Sequence, residues 1–171
     1  MSSKWGIIQQ LFNMKFEFSA GGVVYKQEKI LGQDIQILVA QHSYHHGWVF
    51  PKGLIGDKKE EKSEKGKAKS NLEKETKETA ALREVEEETG AKGKIIQALT
   101  PTQFWYKFEG EKIKKTVYYF IMEYIGGDIT KHDFEMEKVE WLPMEEVEGR
   151  LTFKSDKKVW REAREYLEDS I

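Results

Sequence analysis

Arg83-Glu-Val-Glu-Glu-Glu-Thr-Gly-Ala91 decides how this 171-residue chain is read. The stretch ends a run of strong helix formers that begins at Glu75, and Gly90 follows as the natural stop. A helix over Glu75–Thr89 is therefore expected, with Ala81, Leu82 and Val85 as a narrow apolar stripe. Residues three and four apart share a helix face, so Glu84, Glu87 and Glu88 project together while Glu86 points elsewhere. Like charges so placed repel and cost helix stability. A hard divalent cation, which takes oxygen ligands, turns that repulsion into attraction. Arg83 adjoins the cluster and is placed to orient one carboxylate. A solvated acidic face gives the same pattern, so periodicity alone leaves both readings open.

Working outward, the segment before the helix is different in kind. Between positions 57 and 74, 12 of 18 residues are charged and only Ala68 and Leu72 are apolar. Such a stretch has almost nothing to bury and cannot offset its own ordering entropy. It reads as a solvated loop or an exposed helical extension, with Ser70-x-x-Glu73 as a possible early capping box. Further upstream, Ser19–Tyr25 reads as a strand whose two glycines signal a close backbone approach, Ile35–Ala40 as a buried strand, and Trp48–Phe50 as a short strand ended by Pro51. Downstream, strands are expected at Lys94–Ala98, Phe104–Phe108, Lys114–Tyr124 and Val139–Leu142, with a turn at Gly110-Glu-Lys112. A final helix capped by Ser155 carries Val159, Trp160, Ala163, Tyr166 and Leu167 on one face. Strands, one central helix, more strands and a terminal helix imply a single α/β domain with a mixed sheet and helices on its faces.

Composition narrows the chemistry. Lys and Arg total 28, Asp and Glu 30, leaving a net charge of −2. The overall field argues against a global grip on long nucleic acid or anionic membrane, although a local basic patch remains open. Cysteine is absent, which excludes disulfides, thiolate catalysis and cysteine-ligated zinc. The longest apolar run, Val117–Met122, is six residues against the roughly 20 of a membrane span. Met1–Phe16 lacks the apolar block of a secretory signal, so a soluble cytoplasmic location is expected.

The motif resembles a known family. Arg83–Ala91 matches R-E-U-x-E-E-x-G-U, the second half of the Nudix box, and Glu75 stands eight residues before Arg83 as that box requires. Phe50-Pro-Lys-Gly53 resembles the start of the box but lies 22 residues before Glu75 instead of six. The chain thus looks like a single Nudix domain over residues 1–171, with a charged insertion at about 57–74 inside the box loop. Ala20–Tyr25, Lys115–Phe120 and Phe134–Pro143 resemble the family's flanking segments. The resemblance implies a Nudix-type α/β/α sandwich. It also implies hydrolysis of a pyrophosphate bond in a nucleoside diphosphate-linked substrate, with Mg²⁺ or Mn²⁺ as cofactor.

Carried onto this sequence, the resemblance makes Glu84, Glu87 and Glu88 metal ligands, Glu84 alternatively the base, and the Lys52 carbonyl a further ligand. Arg83 would hold the carboxylate geometry, and Glu135, with Glu137 as fallback, would add a carboxylate from a later loop. Trp48-x-Phe-Pro-Lys-Gly53 and Lys115-Thr-Val-Tyr-Tyr-Phe120 are similar to the diadenosine tetraphosphate hydrolase branch, which cuts its substrate to ATP and AMP. Lys52 would neutralise phosphate, Tyr119 in preference to Tyr118 would stack on adenine, and His46 would contact substrate. Removal of oxidised nucleoside triphosphates, trimming of 5′-triphosphate RNA, and a non-catalytic nucleotide-sensing domain stand as alternatives. Partners are expected to be nucleotides or dinucleoside polyphosphates, with no membrane. The sequence does not specify an oligomeric state.

Overall fold

The computed structural model describes residues 14–28, 34–56 and 74–170. Eight strands form one mixed sheet: β1 (Met14–Glu28), β2 (Asp34–His42), β3 (Trp48–Val49), β4 (Lys52–Leu54), β5 (Ala91–Ala98), β6 (Thr102–Phe108), β7 (Glu111–Gly127) and β8 (Met136–Pro143). The central order is β3-β2-β1-β7-β5, with β4 added to β1, β6 to β7 and β8 to β2. Among the described strands only β1 and β7 pair in parallel, and their register is unbroken from Met14 opposite Lys112 to Tyr25 opposite Glu123. Among the described residues the helices are α1 (Lys77–Thr89), α2 (Met144–Arg150) and α3 (Lys154–Ser170), with a short 3-10 turn at Ile129–Lys131.

Strand alternation sorts the apolar residues into two layers. Val23, Val117, Tyr119 and Ile121 face α2 and α3, whose Val147, Val159, Trp160, Ala163 and Leu167 complete one core. Ala20, Val24, Phe120 and Met122 face α1, which contributes Ala80, Ala81 and Val85. A sheet packed by helices on both faces is the expected α/β/α sandwich. Among the described residues no helix is long and apolar enough to cross a membrane.

The central helix starts two residues later than the sequence suggests, because Thr76 takes the cap: its Oγ1 accepts from the Thr79 amide at 3.1 Å. Glu75 thereby stays outside the helix and is free to turn its carboxylate inward. The proposed Ser70–Glu73 capping box and the 57–73 part of the charged segment lie outside the described residues. The hairpin between β6 and β7 turns at Glu109 and Gly110, both at positive φ, so Glu111 and Lys112 already belong to β7. Ser155 does not cap the last helix, which begins at Lys154, with the Lys157 amide donating to the Phe153 carbonyl. Strand β4 and helix α2 escaped the sequence reading; one is three residues long and the other seven.

Candidate active site

Three elements converge on one cavity of about 300 Å³. Helix α1 supplies Glu84, Glu87 and Glu88, strand β4 supplies Lys52, Gly53 and Leu54, and the end of β2 and the turn after it supply His42 and His45. Lys115 of β7, Glu135 and Met136 close it. The helix is drawn onto β4 by a close approach. A Cβ built on Gly53 would lie 2.1 Å from the Glu84 carboxyl carbon, so a larger residue there would push that carboxylate aside. Likewise a Cβ on Gly21 would lie 2.1 Å from the Pro51 carbonyl oxygen, which is the close approach signalled by the paired glycines of β1.

Arg83 and Glu75 form the rigid part. The Arg83 Nε donates to Glu75 Oε1 at 2.8 Å and its Nη2 to Oε2 at 3.1 Å, a two-pronged pair that matches guanidinium to carboxylate. The same guanidinium reaches Glu84 at 2.7 Å, Glu87 at 3.3 Å and the Leu54 carbonyl at 3.1 Å. Glu75 also accepts from the Gly56 amide at 2.7 Å. Arg83 thus ties the chain leaving β4 to the chain entering α1, and holds two carboxylates of the acidic face.

Glu88 lies deepest. Its Oε2 accepts from the Lys52 amide at 2.8 Å, and burial pushes its pKa up to about 8 against the opposing pull of Lys52. Glu84 is raised as well, first by burial and then by Glu87 and Glu135, with Arg83 opposing. Two neighbouring buried carboxylates thus resist ionising even with Arg83 and Lys52 beside them. Their donor set is all oxygen, which suits a hard divalent cation such as Mg²⁺ or Mn²⁺. Among the described residues no three acidic or histidine side chains are gathered closely enough to cage an ion as they stand. Arg83 accounts for this, because it draws Glu84 and Glu87 toward itself.

The histidines were assigned less well by sequence. His42 and His45 stack with ring centroids 4.2 Å apart. Each Nδ1 accepts a backbone amide, from Tyr44 at 3.1 Å and from Gly47 at 3.0 Å, which leaves the proton on Nε2 of both rings. Burial and the nearby Lys52 lower both pKa values, so both rings stay neutral donors at pH 7. His46 instead sits at φ 56° with its Nδ1 2.9 Å from Glu137, and lines neither this cavity nor its neighbour. Its pattern of adjacent histidines gave no phase by which to choose among the three.

That neighbour, of about 360 Å³, shares Lys52 and His45 with the first. Phe104, Val117, Tyr119 and Phe153 make it largely apolar, and Asp156 is its buried acid. Tyr119 lines this second cavity from within the core; it is 3% exposed, and its hydroxyl donates to Asp156 at 3.3 Å. Tyr118 faces α1, where the Lys77 ammonium lies 5.1 Å from its ring.

A family model described as NUDIX domain matches residues 15–168. The chain belongs to the Nudix family. Over 94 residues, 55% of this chain, it is 34% identical to the protein named mutator protein MutT4 of Mycobacterium tuberculosis, of whose length it spans 38%. A C. elegans Ap4A hydrolase superposes with TM-score 0.60 at 22% identity, covering 90% of this chain and 98% of that one. The NUDIX domain of Shewanella oneidensis NrtR, complexed with ADP ribose, gives TM-score 0.64 at 18% identity, covering 96% and 99%. These structural likenesses establish the Nudix fold. The chain before position 57 meets the chain after position 73 directly: the Gly56 amide donates to Glu75, and Arg83 donates to the Leu54 carbonyl.

Proposed function

We propose that the chain is a metal-dependent pyrophosphohydrolase acting on dinucleoside polyphosphates, and that it cuts diadenosine tetraphosphate to ATP and AMP. The observation that carries this reading is the pair of adjoining cavities. One is carboxylate-lined and the other aromatic-walled, and Lys52 and His45 belong to both. A substrate with a polyphosphate chain and a flat base needs that combination. Base stacking on aromatic rings contributes roughly 1–3 kcal/mol, and Phe104 and Phe153 offer the accessible rings.

Glu84, Glu87 and Glu88, with the Lys52 carbonyl and Glu135 beside them, would hold Mg²⁺ or Mn²⁺. Such an ion neutralises phosphate charge and makes a bound water more acidic. The protein's own groups divide the remaining work. Lys52, Lys115 and the Nε2–H groups of His42 and His45 bind phosphate oxygens. Arg83 fixes the orientation of Glu84 and Glu87. Glu84, with its raised pKa and three acidic neighbours, takes the proton of the attacking water. Water adds to a phosphorus, the bridging P–O bond breaks, and ATP and AMP leave.

A second reading, pyrophosphohydrolysis of oxidised nucleoside triphosphates, is favoured by the likeness to the mutator protein. A substrate panel separates them: diadenosine tetraphosphate, normal and oxidised nucleoside triphosphates, ADP-ribose and 5′-triphosphate RNA, each with Mg²⁺, products resolved by chromatography. Diadenosine tetraphosphate should give the highest kcat/KM, and Glu88→Gln should abolish turnover. A Glu88→Gln variant of undiminished activity overturns the metal-site assignment. Nucleotide binding without turnover of any substrate would establish the non-catalytic alternative.

A further inference from the structure

Where β7 pairs with the first residues of β1 on one side and with β6 on the other, large aromatic side chains on one face of the sheet are exposed. Cross-strand register fixes its layout in rows. Phe16, Lys114 and Trp105 lie side by side on three adjacent strands. The next row outward holds Lys112 and Lys107, and the next row inward begins with Phe18. Phe16 is 56% exposed, Phe18 47% and Trp105 46%. The Lys112 and Lys114 ammonium groups lie 4.6 and 5.8 Å from the Trp105 ring centroid, which confirms the shared face.

The reverse face of the same ribbon carries the acids. Lys15 pairs there with Glu111, and Glu17 lies 3.6 Å from Lys115. The two carboxylates of this end of the ribbon, Glu17 and Glu111, therefore both sit on the reverse face. The front is left with three lysines and three aromatic rings. This segregation is local, in a chain whose net charge is −2.

We propose that this face binds single-stranded polynucleotide. A sheet that exposes aromatic rings is a general platform for unstacked bases, and lysines interleaved with those rings meet the phosphates between them. The interleaving decides among occupants. A bilayer favours an apolar centre with charges at its edge, whereas Lys114 stands between Phe16 and Trp105. A second copy docked by the same face in a two-fold dimer would set lysine against lysine. A chain that alternates base and phosphate complements both components. The proposal does not depend on the cavities described above, since none of the six residues lines them.

The test is fluorescence anisotropy of a labelled 15-nucleotide oligouridylate with the full chain, in chelator so that no hydrolysis intervenes. Binding should weaken as salt rises, with a log–log slope of about −2 for three lysine contacts on a single strand. Lys112→Gln/Lys114→Gln should weaken binding about tenfold and flatten the slope. Trp105→Ala should weaken it similarly while leaving the hydrolysis of the best panel substrate unchanged. Glu88→Gln should bind the oligonucleotide as the wild type does. Wild-type affinity in both the lysine and the tryptophan variants overturns the proposal. So does oligonucleotide binding that ATP competes away, which would place the strand in the carboxylate cavity. Co-sedimentation with phosphatidylserine vesicles, or dimerisation, that requires Trp105 when oligonucleotide binding does not, also overturns it.

Discussion

Glu88 shows how one residue's environment sets both a liability and a use. Its carboxyl is buried and titrates near 8 in the fold, against 4.5 for an ordinary glutamate. The folded chain therefore binds this proton more tightly than the unfolded chain does. Below about pH 4.5 the group is protonated in both states and costs nothing. Between 4.5 and 8 the unfolded state alone ionises, so stability falls as pH rises, by up to about 1.4 kcal/mol per pH unit. In chelator, melting temperature should drop between pH 5 and 8, and Glu88→Gln should flatten that slope; a variant with the wild-type slope would refute the assignment. A saturating divalent cation should restore stability near pH 8 in the wild type but not in Glu88→Gln. Gly53 is the complementary case. Gly53→Ala drives a methyl group into the Glu84 carboxylate. That carboxylate is the far end of a flexible side chain and can swing aside, so the stability cost should stay below about 1 kcal/mol, while kcat should fall at least about tenfold, because misplaced catalytic groups lose rate steeply.

The elements explain what was legible in the sequence and what was not. Helix α1 was legible because its propensities, its stop at Gly90 and its i, i+3, i+4 carboxylate spacing all agree. The long strands were legible from apolar runs, and the α3 face from helical periodicity, with Val159, Trp160, Ala163 and Leu167 buried as expected. Strand β4 was hidden because three residues of Lys-Gly-Leu carry no pattern, and its strand character comes from pairing with β1. The placing of His42 and His45 beside Lys52 was hidden too, since turn geometry rather than spacing aims those rings. At the start of α1 two tethers act on very different scales. The Thr76 cap is exposed, so Thr76→Ala should cost about 1 kcal/mol with activity retained. Arg83 serves Glu75, whose side chain is 1% exposed. Arg83→Ala takes away the two-pronged partner of that carboxylate and should cost about 1.5–3 kcal/mol. It should also lower kcat, because Glu84 and Glu87 lose their orienting partner. Equal melting temperatures for the two variants would show that the Arg83 clamp holds nothing.

At the scale of the whole molecule, the split motif raises a question of loop closure. We propose that the charged segment is an insertion within the Nudix box; the described residues on its two sides meet, since Gly56 donates to Glu75 at 2.7 Å and Glu75 holds Arg83. The ends of the intervening chain are thus pinned close together by contacts that the segment itself does not make. Closing a loop costs entropy only as the logarithm of its length, about 0.6 kcal/mol per doubling. A segment with 12 charged residues in 18 brings little apolar surface to offset even that. Deletion of residues 57–72 should therefore leave the melting temperature unchanged or raised by a few degrees, and keep the Glu75–Arg83 clamp and pyrophosphohydrolysis intact. The seven lysines of positions 57–74 supply a second readout. If they attract substrate, the deletion raises KM at low salt, leaves kcat alone, and loses its effect as screening sets in above about 0.15 M. A fall of ten degrees or more in melting temperature would show instead that the segment packs against the sandwich and belongs to its structure.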